Sequence, residues 1–311
     1  MIFENLEQLQ QLVEKGDLDA IDALRHGRTQ TVRYTPPFVR SALMLSGHRL
    51  KHLNKLDHLS ADIVILNLED GVAPALKPLA LRLIALFLAE AKEIHSQTVV
   101  RINPLDEGGR EEIAYLNRVL PDAIRVPKIK SAEDVKEALE LIDPRIKVHL
   151  SIETKEAWAD LPALRVDDRV EAYYLGVLDL LASLRLPQRI VHLHNPTMHA
   201  IMTRFLLESS VAGVLPVSFV FQEYQDTDAF ENWCLLEKKM GYHAKGCVSP
   251  AQVEIANRIF LPSEEELAWA REVVELFESD PNCSGFAHET LGFVDEPIYK
   301  NAKNLLSLYD H

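Results

Sequence analysis

Glu69 and Asp70 stand side by side at the end of an apolar run, DIVILNL, with Gly71 directly after them. Carboxylates at such a tip either cap a following helix or hold a ligand, and the spacing leaves both readings open. Further along, single ionisable residues interrupt apolar stretches: Arg101 in VVRINP, Lys128 in VPKIK, Glu153 closing KVHLSIE and Asp179 in LGVLDLLA. Arg101, between Val100 and Ile102, must find a partner, and an inward-facing arginine suits a carboxylate. Glu153 and Asp179 each have a capping alternative of their own, since Thr154 and Leu180 open candidate helices. Several carboxylates around one arginine are stable only when solvated, paired or bridged by a cation. All-oxygen donors from two carboxylates point to Mg²⁺ or Mn²⁺ with retained waters rather than to zinc.

Other residues offer rival chemistry. Lys128, desolvated in a barrel, could form a Schiff base, and its flanks do not separate that role from ion pairing. His192, His194 and His199 in HLHNPTMH have a metal-compatible spacing but no carboxylate or cysteine beside them, and they fall in a loop-to-helix connection. Cys234, Cys247 and Cys283 lack any C-x-x-C spacing, and Cys247 without a partner base reads as a core thiol. The N-C-S at Asn282 is formally a glycosylation acceptor and carries no weight in a chain without an export signal.

The elements that must position these residues are legible from period. Short apolar or β-branched runs at 40–46, 62–68, 98–104, 123–129, 147–153, 171–177, 213–220 and 243–249 read as strands. Helical patterns separate them, among them 131–142 with Ser131 as N-cap and 230–241 with Gly241 as C-cap. Alternating strands and helices imply parallel pairing, and eight repeats fit a (β/α)8 TIM barrel, an α/β fold. A doubly wound open sheet is the rival, and it is disfavoured because no glycine-rich phosphate turn occurs. In a barrel of this kind the strand C-termini form the active mouth, which is where Glu69, Asp70, Arg101, Lys128, Glu153 and Asp179 fall. Residues 1–38 read as a helical N-terminal leader, 39–262 as the barrel and 263–311 as a C-terminal helical arm.

Composition narrows the classes further. The chain has 311 residues and is 47% hydrophobic, enough for a large core. Its net charge of −14 repels phosphate, which argues against nucleic acid or an anionic membrane as partner. The longest apolar patch, 78–91, is interrupted by Arg82 and too short to span a bilayer, and it reads as a buried helix. The N-terminus lacks a signal-like apolar segment, which implies a cytoplasmic protein.

With these residues located, the chain resembles the HpcH/HpaI aldolase and citrate lyase β-subunit family, in its CoA-thioester lyase branch. The likeness runs from residue 40 to about 300 through ordered motifs. RSALMLSG is similar to R-S-x-L-x-x-P-G, DIVILNLEDGV to D-x-V-I-L-D-L-E-D-A-V, and VVRINP to V-V-R-V-N-P. AIRVPKIKSAEDV resembles the P-K-V-x-S-x-x-D-V segment, SIET and LGVLDL resemble I-E-T and G-x-E-D-L, and GYHAKGCVSPAQ resembles G-F-x-G-K-x-x-I-H-P-x-Q. The resemblance implies a trimeric barrel, or a dimer of trimers, with Mg²⁺ held by Glu153 and Asp179. It implies that Arg101 binds the carboxylate or oxo group of a 2-oxo acid, with Arg40, Glu69 and Asp70 also on the substrate side. GFVDEP fits an M-I-D-x-P pattern, which assigns Asp295 as the proton-transfer residue on an arm that lids a neighbouring subunit. The implied activity is Mg²⁺-dependent carbon–carbon cleavage, or Claisen-type formation, of a 3-hydroxyacyl-CoA such as citramalyl-, malyl- or citryl-CoA. Two alternatives accompany it: a thioester carried by an acyl carrier protein, and a non-catalytic binding barrel. Leu178 stands where the family often has glutamate and Ser249 where it has histidine, so the substrate subgroup stays open. The class II pyruvate aldolases carry E-H-A where this chain has Glu69-Asp70-Gly71, which argues against a histidine base.

Overall fold

The computed structural model describes residues 2–3, 5–24, 36, 38–91, 94–280 and 284–309. Cys283, the N-C-S acceptor at Asn282 and residues 25–35 and 37 of the expected leader lie outside the described residues. Two compact units are present, Met1–Arg258 and Ile259–His311.

The first unit is built on a closed parallel barrel. Its strands are β1 (Ser41–Ser46), β2 (Ile63–Asn67), β3 (Gln97–Arg101), β4 (Ala123–Val126), β5 (Lys147–Ile152), β6 (Val170–Leu175), β7 (Leu215–Ser218) and β8 (Ala244–Cys247). Each pairs with the next, and β8 returns to β1 through Ser41–Lys245, Ala42–Gly246 and Leu43–Cys247. The eight expected strands all form, trimmed where proline or glycine removes a ladder donor or opens a turn. Pro104 follows β3 and Pro127 follows β4, while Gly213 ends a helix with φ +70° instead of opening a strand. Closure leaves no sheet edge, and the interior fills with small and branched side chains: Ala42, Ile63, Ile65, Val99, Ala123, Ala172, Tyr174, Val217 and Ala244.

Helices fill the connections. Two leader helices, α1 (Leu6–Lys15) and α2 (Leu18–Leu24), come first, followed by α3 (Leu50–Leu53) and α4 (Lys77–Glu90). After them run α5 (Gly109–Leu116), α6 (Ala132–Leu141), α7 (Lys155–Ala159), α8 (Val177–Ser183), α9 (Pro196–Ala212), α10 (Thr227–Met240) and α11 (Pro250–Phe260). The expected caps form: Ser131 and Asp134 close a capping box on α6, and Gly241 ends α10 at φ +102°. α4 is buried as its apolar sequence requires, with Leu83, Ile84, Ala85 and Phe87 fully enclosed. The leader is part of this unit. Asn54 Oδ1 accepts the amides of Ile2 and Phe3 at 3.0 and 2.9 Å, Ile21 is fully buried, and α2 packs on α4. No helix among the described residues is long and apolar enough to cross a membrane.

The second unit contains α12 (Glu264–Glu278), an antiparallel pair of strands, β9 (Gly285–His288) and β10 (Gly292–Asp295), and α13 (Glu296–Tyr309). Its helix α12 starts in a capping box of Ser263 and Glu266, as the sequence indicates. The hairpin is a departure from an all-helical arm. Its signal in the sequence was Gly292, which takes φ +73° at the turn, a conformation that favours glycine. Ala270, Val273, Val294 and Ala302 form a core of its own, on which Phe277 stacks against Tyr299 at 4.4 Å.

Candidate active site at the barrel mouth

Alternation along a strand sends every second side chain inward. Ala123 on β4 and Val99 on β3 belong to the interior cluster, so Arg125 and Arg101, two positions on, also face the barrel axis. The same parity on β5 turns His149, Ser151 and Glu153 inward. The upper interior is therefore polar although the lower interior is aliphatic.

Arg101 is its centre. Arg101 is 6% exposed, and its guanidinium pairs directly with Glu69 Oε2 and lies 3.7 Å from Glu153 Oε2. Glu69 is buried against it. Burial pushes the Glu69 carboxyl above its ordinary range, and Glu153 and Asp70 push the same way while Arg101 opposes them. Glu69 Oε1 makes no hydrogen bond and sees the Lys128 ammonium at 3.8 Å. Burial works against the charge on Lys128, but Glu69, Asp70, Asp179 and Glu153 outweigh it and raise its pKa. A lysine held charged in this way is a poor Schiff-base nucleophile. Lys128 also adopts φ +52°, rare for a side-chain-bearing residue, and its amide thereby donates to Glu153 Oε1 at 2.8 Å.

The capping alternatives fall away one by one. Thr154, not Glu153, caps α7 by accepting from the Ala157 amide at 3.1 Å. Gly176 occupies the N-cap of α8 without a side-chain cap bond, so Asp179 sits in the first turn with its carboxylate uncommitted to that role. Asp70 is exposed, and no α-helix starts until Lys77. Instead, Asn67 shapes the turn: its amide donates to the Asp70 carbonyl, its Oδ1 accepts from the Glu69 amide at 3.3 Å, and Gly71 turns at φ +87°.

A cavity of about 310 Å³ opens at this end, lined among others by Asp70, Arg101, Arg125, Glu153, Leu178 and Asp179. Glu153 leans against Gly176 so closely that a Cβ there would stand 2.7 Å from its Oε2. Among the described residues no group of three or more His, Cys, Asp or Glu converges to hold a metal ion, His192, His194 and His199 included. Glu153 and Asp179 both line this one cavity. Two carboxylates suit a hard cation that keeps water or ligand oxygens in its other positions.

Arg40 is a correction. It precedes β1 and grips Asp62 through Nε at 3.0 Å and Nη2 at 2.8 Å. Both residues lie at strand N-termini, the end of the barrel opposite the mouth, so Arg40 belongs to the scaffold and not among substrate-binding residues. Asp295 lies in the second unit, at the end of β10, where its Oδ1 accepts from the Ile298 amide at 3.4 Å and caps α13. Ser249 caps as well, accepting from the Gln252 amide at 3.3 Å. Cys247 is fully buried, and burial pushes its thiol up to about 12, which leaves it inert. Two further residues at this end of the barrel escaped the sequence reading. Glu112 accepts from the Asn103 amide and side chain at 2.8 and 2.6 Å, and Asn103 donates to the Leu68 carbonyl, tying the loop after β3 to the one after β2. Arg125 was the other; the argument applied to Arg101 in VVRINP applies equally to AIRVPKI.

Comparison with known proteins bears on the family and the fold. The model of the HpcH/HpaI aldolase/citrate lyase family matches residues 40–250. The chain is 31% identical over 246 residues to a (3S)-malyl-CoA thioesterase of Cereibacter sphaeroides, covering 78% of this chain and 84% of that protein. It is 24% identical over 300 residues to the mitochondrial citramalyl-CoA lyase of Rattus norvegicus, covering 89% and 87%. Among solved structures, CitE of Mycobacterium tuberculosis in complex with magnesium, acetoacetate and coenzyme A superposes with a TM-score of 0.69 at 25% identity. That superposition covers 88% of this chain and 99% of CitE.

Proposed function

Because the chain belongs to the HpcH/HpaI aldolase/citrate lyase family, we propose that it is a Mg²⁺-dependent carbon–carbon lyase acting on a 3-hydroxyacyl-CoA thioester such as citramalyl-, malyl- or citryl-CoA. The observation that carries this reading is the shared lining of one cavity by Glu153, Asp179 and Arg101. Glu153 and Asp179 would hold the ion, and the all-oxygen pair with room for waters fits it. When bound, Mg²⁺ would supply a Lewis acid at the substrate's hydroxyl or oxo oxygen.

The chain's own residues do the rest. Arg101 clamps the carboxylate of the oxo-acid fragment, and its buried setting strengthens that contact. Glu69 fixes the guanidinium from behind. In cleavage the hydroxyl proton passes to solvent, the hydroxyl oxygen becomes the oxo group of the acid as the bond between carbons 2 and 3 breaks, and the electron pair of that bond passes to the acetyl carbon. Asp295 of a neighbouring copy then returns a proton to that carbon; in condensation it removes one. A lid that carries Asp295 keeps water from the enolate, and it requires an oligomer, a homotrimer or a dimer of trimers. The setting is the cytoplasm, where acyl-CoA substrates are available.

A second reading is thioester hydrolysis, favoured by the 31% identity to a malyl-CoA thioesterase. One assay separates the readings. Purified protein with Mg²⁺ and a panel of the three acyl-CoA thioesters should release acetyl-CoA and an oxo acid. Free CoA thiol without an oxo acid would replace lyase by thioesterase. No product from CoA thioesters, with turnover of an acyl-carrier-protein thioester, would move the substrate to the carrier.

A further inference from the structure

Arg125 has no role in the chemistry just described, yet it is a full positive charge inside the barrel. It is 6% exposed and lines the same cavity as Arg101, Glu153 and Asp179. Its Nε donates to Ser151 Oγ at 2.8 Å, and its guanidinium carbon lies 4.1 Å from the Tyr174 ring centre, a cation–π contact. Tyr174 shares a hydrogen bond with His149 Nδ1 at 3.1 Å. None of these partners carries a negative charge. Burial, with Arg125 adding to it, pushes His149 down to about 3, so the imidazole is neutral, and burial raises the Tyr174 phenol. Arg101 is answered by Glu69 and Glu153. Among the described residues no carboxylate comes within ion-pair distance of Arg125. Burial and the nearby Arg101 lower Arg125 only to about 10, so it stays cationic at neutral pH.

A buried cation that is oriented by a serine and a stacked ring, and that feels Glu153 and Glu69 only from beyond ion-pair distance, is costly unless an anion arrives to meet it. The guanidinium has five donors in a planar fork, and Ser151 takes one of them. We infer that Arg125 is a second anion-binding residue of the cavity, selecting a substrate whose oxo-acid fragment carries a carboxylate besides the one taken by Arg101. The inference rests on the reading of this cavity as an oxo-acid site. It narrows the substrate class from any 2-oxo acid to a dicarboxylic one.

The test is a titration of free oxo acids by calorimetry in the presence of Mg²⁺, with oxaloacetate and pyruvate as probes, which differ by one carboxylate. The wild type should bind oxaloacetate about 10- to 100-fold more tightly, the ratio expected of one charge-assisted hydrogen-bonded pair. Arg125→Met should abolish that ratio while changing pyruvate binding less than about twofold, and Arg125→Lys should keep part of it. Equal affinity of the wild type for both acids overturns the inference, as does an Arg125→Met variant that weakens both alike. If Arg125→Met does not melt as a folded protein, the wild-type ratio and Arg125→Lys decide. No thioester enters this assay. Failure to cleave any acyl-CoA would therefore sink the lyase reading without altering the ratio, and cleavage with a ratio near unity would sink this inference alone.

Discussion

Gly176→Ala is the sharpest probe of the mouth because it changes one atom. Gly176 has φ −81° and ψ 68°, so alanine meets no left-handed backbone penalty there. The added Cβ would lie 2.7 Å from both Glu153 Cβ and Glu153 Oε2. Carbon contacts settle at roughly 3.5–4.0 Å, so the intrusion is about 1 Å. The carboxylate can swing away, but Glu153 Cβ is fixed to the end of β5, and the clash cannot be relieved by rotation alone. Overpacking of this kind costs about 1–3 kcal/mol, a fall in Tm of roughly 2–8 °C. A displaced Glu153 should also lose its bond from the Lys128 amide. A misplacement near 1 Å should cost about 100-fold in turnover, with weaker Mg²⁺ binding. Calorimetry with Mg²⁺, a thermal melt and acetyl-CoA release together read these effects. Gly71→Ala is the comparison: at φ +87° with nothing within 4 Å, it brings backbone strain without intrusion and should lower turnover far less. A Gly176→Ala protein that binds Mg²⁺ and turns over like the wild type would refute the claim that Glu153 must sit where it does.

Glu153→Gln should weaken Mg²⁺ binding by about tenfold or more, and Glu69→Gln by less, since Glu69 faces Arg101; the reverse order would reassign the metal carboxylates. Because burial raises the Glu69 carboxyl, it takes up a proton at a higher pH than an ordinary glutamate and then releases Arg101. A pH–rate profile should show an acid limb above the usual glutamate range that Glu69→Gln removes. The sign for stability is opposite to the common case, because a raised carboxyl costs the folded state stability above its pKa and that cost fades as pH falls through it. Arg40→Ala should lower stability by roughly 1–3 kcal/mol through loss of the Asp62 pair, and leave KM within about twofold; a KM raised tenfold would return Arg40 to the substrate side.

The barrel was readable because each strand is a short apolar run between turn signals, and burial on both faces forces that composition whatever the neighbours are. The helix ends were readable for an equally local reason: Ser131, Ser263 and Gly241 act on amides and carbonyls within a few residues. The hairpin of the second unit was missed because β9 and β10 are only four residues each and their pairing depends on a turn at Gly292 rather than on apolar period. Arg40 stands first in the run 40–46, so parallel closure already sets it away from the mouth; only the motif resemblance, which marks position along the chain, put it on the substrate side.

Residue type and strand position by themselves determined that carboxylates and an arginine would gather at one mouth, since in a closed parallel barrel all strand C-termini share an end. Only the tertiary structure decided the pairings within that gathering. Glu69 turned out to hold Arg101, Thr154 and Gly176 to occupy the caps open to Glu153 and Asp179, and Arg125 to stand with no carboxylate of the described residues within ion-pair distance. Those choices depend on register between strands far apart in sequence, such as Arg101 beside Arg125 and His149 beside Ala172. A one-residue slip would turn each of these side chains out of the barrel, and nothing local to any one strand fixes that register.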